Sequence, residues 1–505
     1  MIRSKYITRT IILLCLLLTS INSLAAQSKQ EAAIPDTTVG KQLKDWLRVF
    51  ASGNQDEFVR FIRERYGKPM LGQDTVVDYA DRQARLYLDA RSFDIRSIEK
   101  STAQEISVLA QASLTGFWYR LSMKIETESP NRITEYVSER IPPPNNSQKK
   151  LSEKELVQEI KAFMEKLASV DAFSGTVLVA KDGKPIFKTV YGMASKAYNA
   201  PNRFDTKFNI ASVGKTFTAV SIMQLAEQGK LSLTDTVGKF LPDYPNKEVR
   251  EKVTIENLLT HSSGLGDFHG AKYPARKATL RTVRDYFPLF ADDSAPFSFE
   301  PGARMQYSNI GYVLLGAIIE KASGENYYDY VRGHIFKPAG MLNTDYYEAD
   351  VDTPNLAAGY TNFVELGDDY QQFQLGARKN TSLYSGLKGN PAGGAYSTAE
   401  DLLQYVLALR EGKLISAKSL DSMTTVKYFF RKYAGHDISY GYGLELENVN
   451  GQRVVGHGGG DLGISSAIRW YPDSGNYTVV VLSNYDRGGI LTDIKLKEMI
   501  IQSQK

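Results

Sequence analysis

Cysteine is almost absent: the 505-residue chain has one, Cys15. Without a second thiol there is no disulfide framework and no thiolate cluster for a metal. Histidine is sparse as well, with five in all. Neither sign of charge dominates, because 61 Lys and Arg face 57 Asp and Glu, a formal net charge of +4. Arg3, Lys5 and Arg9 supply three of those charges, so the chain beyond residue 26 carries only +1. Such a balance gives no electrostatic case for nucleic acid as a partner. The apolar run Ile11 to Leu18 is too short to span a bilayer. With 42% hydrophobic and 23% charged residues, disordered, collagenous and polytopic membrane classes are excluded.

That basic start, the apolar run and then Ala25-Ala26 read as a secretory signal over residues 1–26. Cleavage is expected near Ala26–Gln27, giving a periplasmic or secreted protein with no transmembrane anchor in its mature form. At this length two or more domains are expected. Ile141-Pro142-Pro143-Pro144-Asn145-Asn146-Ser147 marks a linker at about 141–150, since three prolines fix φ and remove donors.

Residues 27–140 read as an α+β domain. Val39, Leu43, Trp46, Leu47 and Phe50 share a helical face, Asn54 can cap a second helix, and a third covers Thr75 to Ala90. The period then becomes two: Phe117, Tyr119, Leu121, Met123 and Ile125 alternate with polar neighbours, and Ile133 to Glu139 suggests another strand. This order is similar to the nuclear-transport-factor-2-like cone fold. Nothing in this domain looks catalytic, and packing or dimerisation is its plainest role.

Residues 151–505 read as a second domain. A helix at Leu151–Ala168 precedes strands Gly175–Lys181 and Pro185–Tyr191, joined by the hairpin signal Asp182-Gly183. Strands at Val454–Val455, Ser465–Tyr471 and Tyr477–Ser483 come before a last helix from about Ile490. One antiparallel sheet closed by both ends, flanked by helices and carrying a helical insert, is expected. The fold class is α+β.

Three short motifs carry chemistry. In Phe208-Asn209-Ile210-Ala211-Ser212-Val213-Gly214-Lys215, an amphipathic helix is expected to start near Ser212, with Lys215 one turn later on the same face. That pairs a serine nucleophile with a lysine base, beside N–H groups that favour developing negative charge. Ser-x-x-Lys recurs at Ser97/Lys100, Ser147/Lys150 and Ser385/Lys388, but only the first opens a helix after an apolar approach. Next, Tyr307 and Asn309 stand two apart before an apolar helix, where a phenol can relay a proton and an amide can hold a carbonyl or the lysine. Tyr360/Asn362 repeats the spacing in loop-like surroundings. Last, the glycines of Gly456-His457-Gly458-Gly459-Gly460 let a substrate lie close to a strand edge.

In this order the set resembles the serine β-lactamase and penicillin-binding-protein superfamily, in its class C β-lactamase-like branch of D,D-peptidases, D-aminopeptidases and carboxylesterases. Leu258 to Leu265 and Gly393 to Thr398 are similar to segments of that branch. The likeness covers about 160–500. It implies an acylated Ser212, with Lys215 and Tyr307 as the base pair and Asn309 on the acyl amide or the lysine. It also implies that His457 replaces the strand lysine, Gly458 and Gly459 line the substrate edge, and Gly460 N–H serves an oxyanion hole. Histidine for lysine weakens any anchor for a substrate carboxylate, which favours esters or D-amino-acid amides over penicillins. The implied activity is an exported serine hydrolase of small-molecule or peptide substrates, with no metal or cofactor. Its rivals are a penicillin-binding sensor that acylates and stalls, and a binding protein working through the first domain. His261 and His269 could suggest a metal pair, but structural roles are expected for them; Asp461 could pair with a base or make a turn.

Overall fold

Side-chain caps open the three longer helices of the first unit. A computed structural model describes residues 32–72, 74–144, 150–291, 295–365, 371–381, 386–433 and 436–504. The segment read as a signal therefore lies outside the described residues, as do Ser147 and Ser385. Among the described residues no helix is long and apolar enough to cross a membrane. The chain divides into two compact units between Pro143 and Pro144.

In the first unit, α1 (Thr38–Ser52) starts where Thr37 accepts Gly40 N–H at 3.1 Å and stops at Gly53, φ 63. Asn54 caps α2 (Gln55–Arg65), and a Thr75/Asp78 capping box opens α3 (Val76–Ala90). The sheet that follows is a meander, β1 (Phe93–Ser101), β2 (Glu105–Ala112), β3 (Trp118–Ile125) and β4 (Ile133–Ile141). Tyr119, Leu121, Met123 and Ile125 face inward, as alternation requires. Trp46 is fully buried against Phe50 and Tyr136, at 4.9 and 4.6 Å between ring centres. Leu47, placed on the same face by periodicity, is only half-buried; Val49 is buried in its turn of α1. β1 and β2 lie outside the strands read from periodicity; the inward side chains at the end of β2, Ala110 and Ala112, are small.

The second unit opens with α4 (Glu153–Ser169), again capped by a box, Ser152/Glu155. Then come β5 (Gly175–Lys181) and β6 (Lys184–Tyr191), whose turn places Asp182 and Gly183 at φ 48 and 75. Helices follow: α5 (Lys215–Glu227), α6 (Asn309–Ser323) and α7 (Ala399–Arg410) among them. The chain returns to the sheet with β7 (Tyr428–Tyr433), β8 (His436–Tyr440), β9 (Glu445–Val449), β10 (Gln452–Asp461), β11 (Ile464–Tyr471) and β12 (Tyr477–Ser483), and ends in α8 (Gly488–Gln504). The order is β7-β8-β9-β10-β11-β12-β5-β6, antiparallel throughout, with β12 pairing β5. The two ends of the unit thus close one sheet; β7 to β9 extend it beyond the strands legible in sequence.

This sheet is buried on both faces, so its central strands read as continuous apolar runs. Leu178, Ala180, Val480 and Leu482 join the core beneath the inserted helices. Val177, Val179, Val479 and Val481 point the other way and are equally buried, on the side of the sheet opposite that core.

The helix after Ser212 is not amphipathic: every residue from Lys215 to Leu225 is buried. Its polar side chains are satisfied internally. Thr218 Oγ1 donates to Pro391 O at 2.7 Å, Ser221 Oγ to Phe217 O at 2.9 Å, and Gln224 Nε2 to His334 O and Leu414 O at 3.0 and 2.9 Å. Composition could not separate these buried hydroxyls from a wet face.

Candidate active site

Ser212 lies in a short 3-10 turn, Ala211–Gly214, that runs directly into α5. Ala211 has φ 43, a conformation L residues avoid. It persists because the turn is held from several sides. Asn209 Oδ1 accepts Ala211 N–H at 2.9 Å, Gly394 N–H reaches Ala211 O at 3.1 Å, and Ser466 Oγ donates to Ile210 O at 2.8 Å. Gly393 must be glycine: at φ 150, a Cβ there would sit 2.6 Å from Ala211 O.

Lys215 is fully buried. Its Nζ is 3.1 Å from Ser212 Oγ, 2.7 Å from Asn309 Oδ1 and 2.5 Å from Ala392 O. Burial lowers its pKa to about 7, although the Asp267 carboxylate pulls the other way. The partners decide where a neutral amine aims. Ala392 O can only accept. Asn309 also presents its oxygen, because its Nδ2 donates to Asp267 Oδ2 at 2.5 Å. These two acceptors take two N–H bonds of the amine, and Ser212 Oγ is its third polar neighbour.

Tyr307 is the second group on Ser212. Burial pushes its phenol well above the ordinary range, against a hydrogen bond with Ser212 that lowers it, so it stays protonated. Lys215 Nζ lies 4.8 Å from the centre of its ring. Ser212, Lys215, Tyr307 and Asn309 therefore meet at one place, while Tyr360 and Asn362 do not join them. Tyr360 Oη accepts Lys196 N–H, and Asn362 binds Gln374 O and Gly376 O.

Comparison with known proteins bears on this arrangement. The Beta-lactamase family model matches residues 156–493, two thirds of the sequence. The chain belongs to the beta-lactamase family. A penicillin-binding protein of Bacillus subtilis (strain 168) is 33% identical over 332 residues, 64% of this chain and 71% of that one. Esterase EstB of Burkholderia gladioli is 32% identical over 184 residues, 34% of this chain and 47% of the esterase. Among solved structures, D-amino acid amidase from Ochrobactrum anthropi SV3 superposes with TM-score 0.57 at 25% identity, over 70% of this chain and 99% of the amidase. The similar proteins thus include a penicillin-binding protein, an esterase and a D-amino acid amidase.

The third motif of this family member sits inside β10 rather than between strands. Pairing with β9 ends at Glu445–Gly456, so residues 457–461 present an open edge on that side. Gly458 N–H points to that edge, where Glu445 Oε2 accepts it at 3.1 Å. By the two-residue period of a strand, Gly460 N–H points the same way. Gly459 lets the strand press on the nucleophile turn: a Cβ would lie 2.3 Å from Ile210 O. Gly459→Ala is expected to cost about 1–3 kcal/mol and to slow turnover, because that carbonyl cannot retreat without moving Ser212. Urea melts beside initial rates check this; wild-type values for both would refute the contact.

His457 departs from its expected place as a substrate contact. Its ring is 1% exposed, and both nitrogens are engaged, Nε2 with Tyr440 Oη at 2.9 Å and Nδ1 with Gly458 O at 2.5 Å. Burial lowers its pKa to about 4, against the pull of Glu445, so the ring is neutral. Asp461 accepts the N–H of Leu462 at 2.8 Å in the β10–β11 turn. His261 is buried among Tyr307, Tyr312 and Tyr440, whereas His269 is half-exposed and pairs with Asp267 at 2.6 Å.

Asp267, Glu445 and Tyr440 carry no motif, and sequence reasoning passes over them. Glu445 is 4% exposed. Burial pushes its carboxyl up, but Arg469 first, then His457 and Arg431, bring it down to about 2. The single local sign was Glu445 as an acid between apolar neighbours in a buried strand.

Proposed function

We propose that this chain is an exported serine hydrolase that forms an acyl-enzyme at Ser212 and resolves it with water. The observation that carries the reading is a buried Lys215 Nζ 3.1 Å from Ser212 Oγ, its other two polar neighbours being acceptors that hold the amine there. Neutral Lys215 takes the hydroxyl proton as Oγ bonds to the carbonyl carbon. The oxyanion is met by Ser212 N–H, which has no intrahelical acceptor in the first turn, and by Gly460 N–H. Tyr307, protonated, hands its proton to the leaving group and is reprotonated from Lys215. Water then repeats the sequence with Lys215 as base.

Substrates are esters or amides rather than dedicated β-lactams. A neutral His457 with both nitrogens in use supplies no positive charge for a substrate carboxylate. The esterase and D-amino acid amidase relatives accord with that preference. Export rests on the signal-like residues 1–26. Residues 27–140 act as an accessory unit, because every residue of the site comes from the second unit.

A fluorophosphonate and a fluorescent penicillin test the reading, each beside Ser212→Ala. The fluorophosphonate is expected to label the wild type rapidly and the variant not at all, with the penicillin labelling much less. Equal fluorophosphonate labelling of both proteins would end the assignment of Ser212. Strong penicillin labelling without turnover would point instead to a penicillin-binding sensor.

A further inference from the structure

Behind Tyr307 runs a chain of buried polar groups whose direction is fixed at both ends. It starts at the loop carrying Tyr307. His261, at φ 57, accepts Gln306 N–H on its carbonyl at 2.9 Å and Ser308 N–H on its Nδ1 at 3.1 Å. Its ring stacks on Tyr307, 4.2 Å between centres. One residue thus grips the tyrosine from both flanks and from one face.

An amide N–H can only donate, so Nδ1 of neutral His261 is bare and its proton is on Nε2. Nε2 lies 3.2 Å from Tyr440 Oη. Tyr440 Oη in turn lies 2.9 Å from His457 Nε2, and His457 Nδ1 lies 2.5 Å from Gly458 O. A carbonyl can only accept, so His457 carries its proton on Nδ1 and takes the Tyr440 hydroxyl on Nε2. The opposite arrangement would set a bare Nδ1 against the carbonyl lone pairs. Every hydrogen bond therefore runs one way, from Ser308 N–H through His261, Tyr440 and His457 to Gly458 O. The three side chains are buried, with exposures of 0 or 1%. Tyr312 lies beside them and donates to Leu259 O at 3.0 Å; its oxygen is a second acceptor within reach of the Tyr440 hydroxyl, but the bare Nε2 of His457 is given no other donor than that hydroxyl.

We propose that Tyr440 is a positioning residue whose hydroxyl locks two histidines in opposite tautomers and so ties the Tyr307 loop to the Gly458–Gly460 edge. The proposal rests on the hydrolase reading above. Tyr440 touches no reacting atom. Its effect is to keep the proton relay and the oxyanion edge in register around Ser212, since they belong to separate segments of chain. Histidine at 457 is then required for its two nitrogens, which a lysine could not replace.

The test uses the full chain labelled with 15N-histidine. At pH 7 the spectrum is expected to hold one buried ring protonated at Nδ1, the less common tautomer, and one protonated at Nε2. Tyr440→Phe is expected to shift these two rings and leave the other three unmoved. It should also lower kcat about 10- to 100-fold on a small ester, with KM within about threefold, as misplacement of catalytic groups does. Two buried rings of one tautomer, or a kcat per folded molecule within about threefold of wild type, would overturn the proposal. Should Tyr440→Phe not fold, the wild-type spectrum alone decides. The tautomers are read without any substrate, so a failure of the hydrolase reading registers separately, as absence of fluorophosphonate labelling.

Discussion

Replacing Lys215 by alanine is expected to cost nearly as much turnover as replacing Ser212, and the double variant to lose little more. The two side chains act as one unit, because the hydroxyl is a nucleophile only while the amine takes its proton. For such units single losses on the order of 10⁴-fold or more in kcat are usual and do not add. Rates for both single variants and the double check this. A double variant far slower than either would show that the two residues act separately. The pH dependence has a definite sign. With the pKa at about 7, the base is lost to protonation below neutrality, so kcat/KM should fall tenfold per pH unit there and level off above it.

The same lysine costs stability. Between about pH 7 and its ordinary 10.5, the unfolded chain binds a proton at Lys215 that the folded chain does not. Stability gained at this site therefore rises with pH through that window, and the cost of burial is fully present below about 7. Lys215→Met is expected to raise Tm, most at pH 6 and least near pH 10. A Tm difference that grew with pH would reverse the assignment. Loss of activity with gain of stability would mark the lysine as held in place for chemistry.

The second large effect is expected at Arg469. Its guanidinium joins two buried carboxylates, Glu445 at 2.8 Å and Asp493 at 3.2 Å, and all three side chains are 5 or 6% exposed. Arg469→Met leaves Asp493 buried without this cation and Glu445 with only the exposed Arg431 at 3.6 Å, which costs about 3–5 kcal/mol. The urea midpoint should fall accordingly, and a shift under about 1 kcal/mol would refute the pairing. Activity should fall as well, since Glu445 Oε2 also accepts Gly458 N–H. Replacing all three charges by apolar residues separates the two effects. Stability should largely return, because neither acid is left buried without its cation, while turnover should not, because the amide has lost its acceptor.

The described residues of the first unit are packed around aromatic rings. Trp46, Phe50, Phe58 and Phe93 fill the space between helices and sheet with rings 4.9 to 6.5 Å apart. No histidine falls between residues 27 and 140.

Sequence alone determined what depends on near neighbours. Ser212 and Lys215 are one turn apart by spacing, Asp182-Gly183 makes its hairpin by its own φ preferences, and Asn54, Thr75 and Ser152 cap helices within three residues. The strands Gly175–Lys181 and Tyr477–Ser483 were legible from composition, and the family from three motifs in order. Only the tertiary structure decided what depends on burial and on partners far along the chain. Lys215 is poised near neutrality because α5 is enclosed on every side, where sequence suggested a wet face. His457 turns inward because Tyr440, on another strand, and the carbonyl of Gly458 take its two nitrogens. Asp267 orients Asn309 from 42 residues away, and Glu445 holds Gly458 across the end of a strand pair. Desolvation and cross-strand register are properties of the assembled sheet, and no local window of residues contains them.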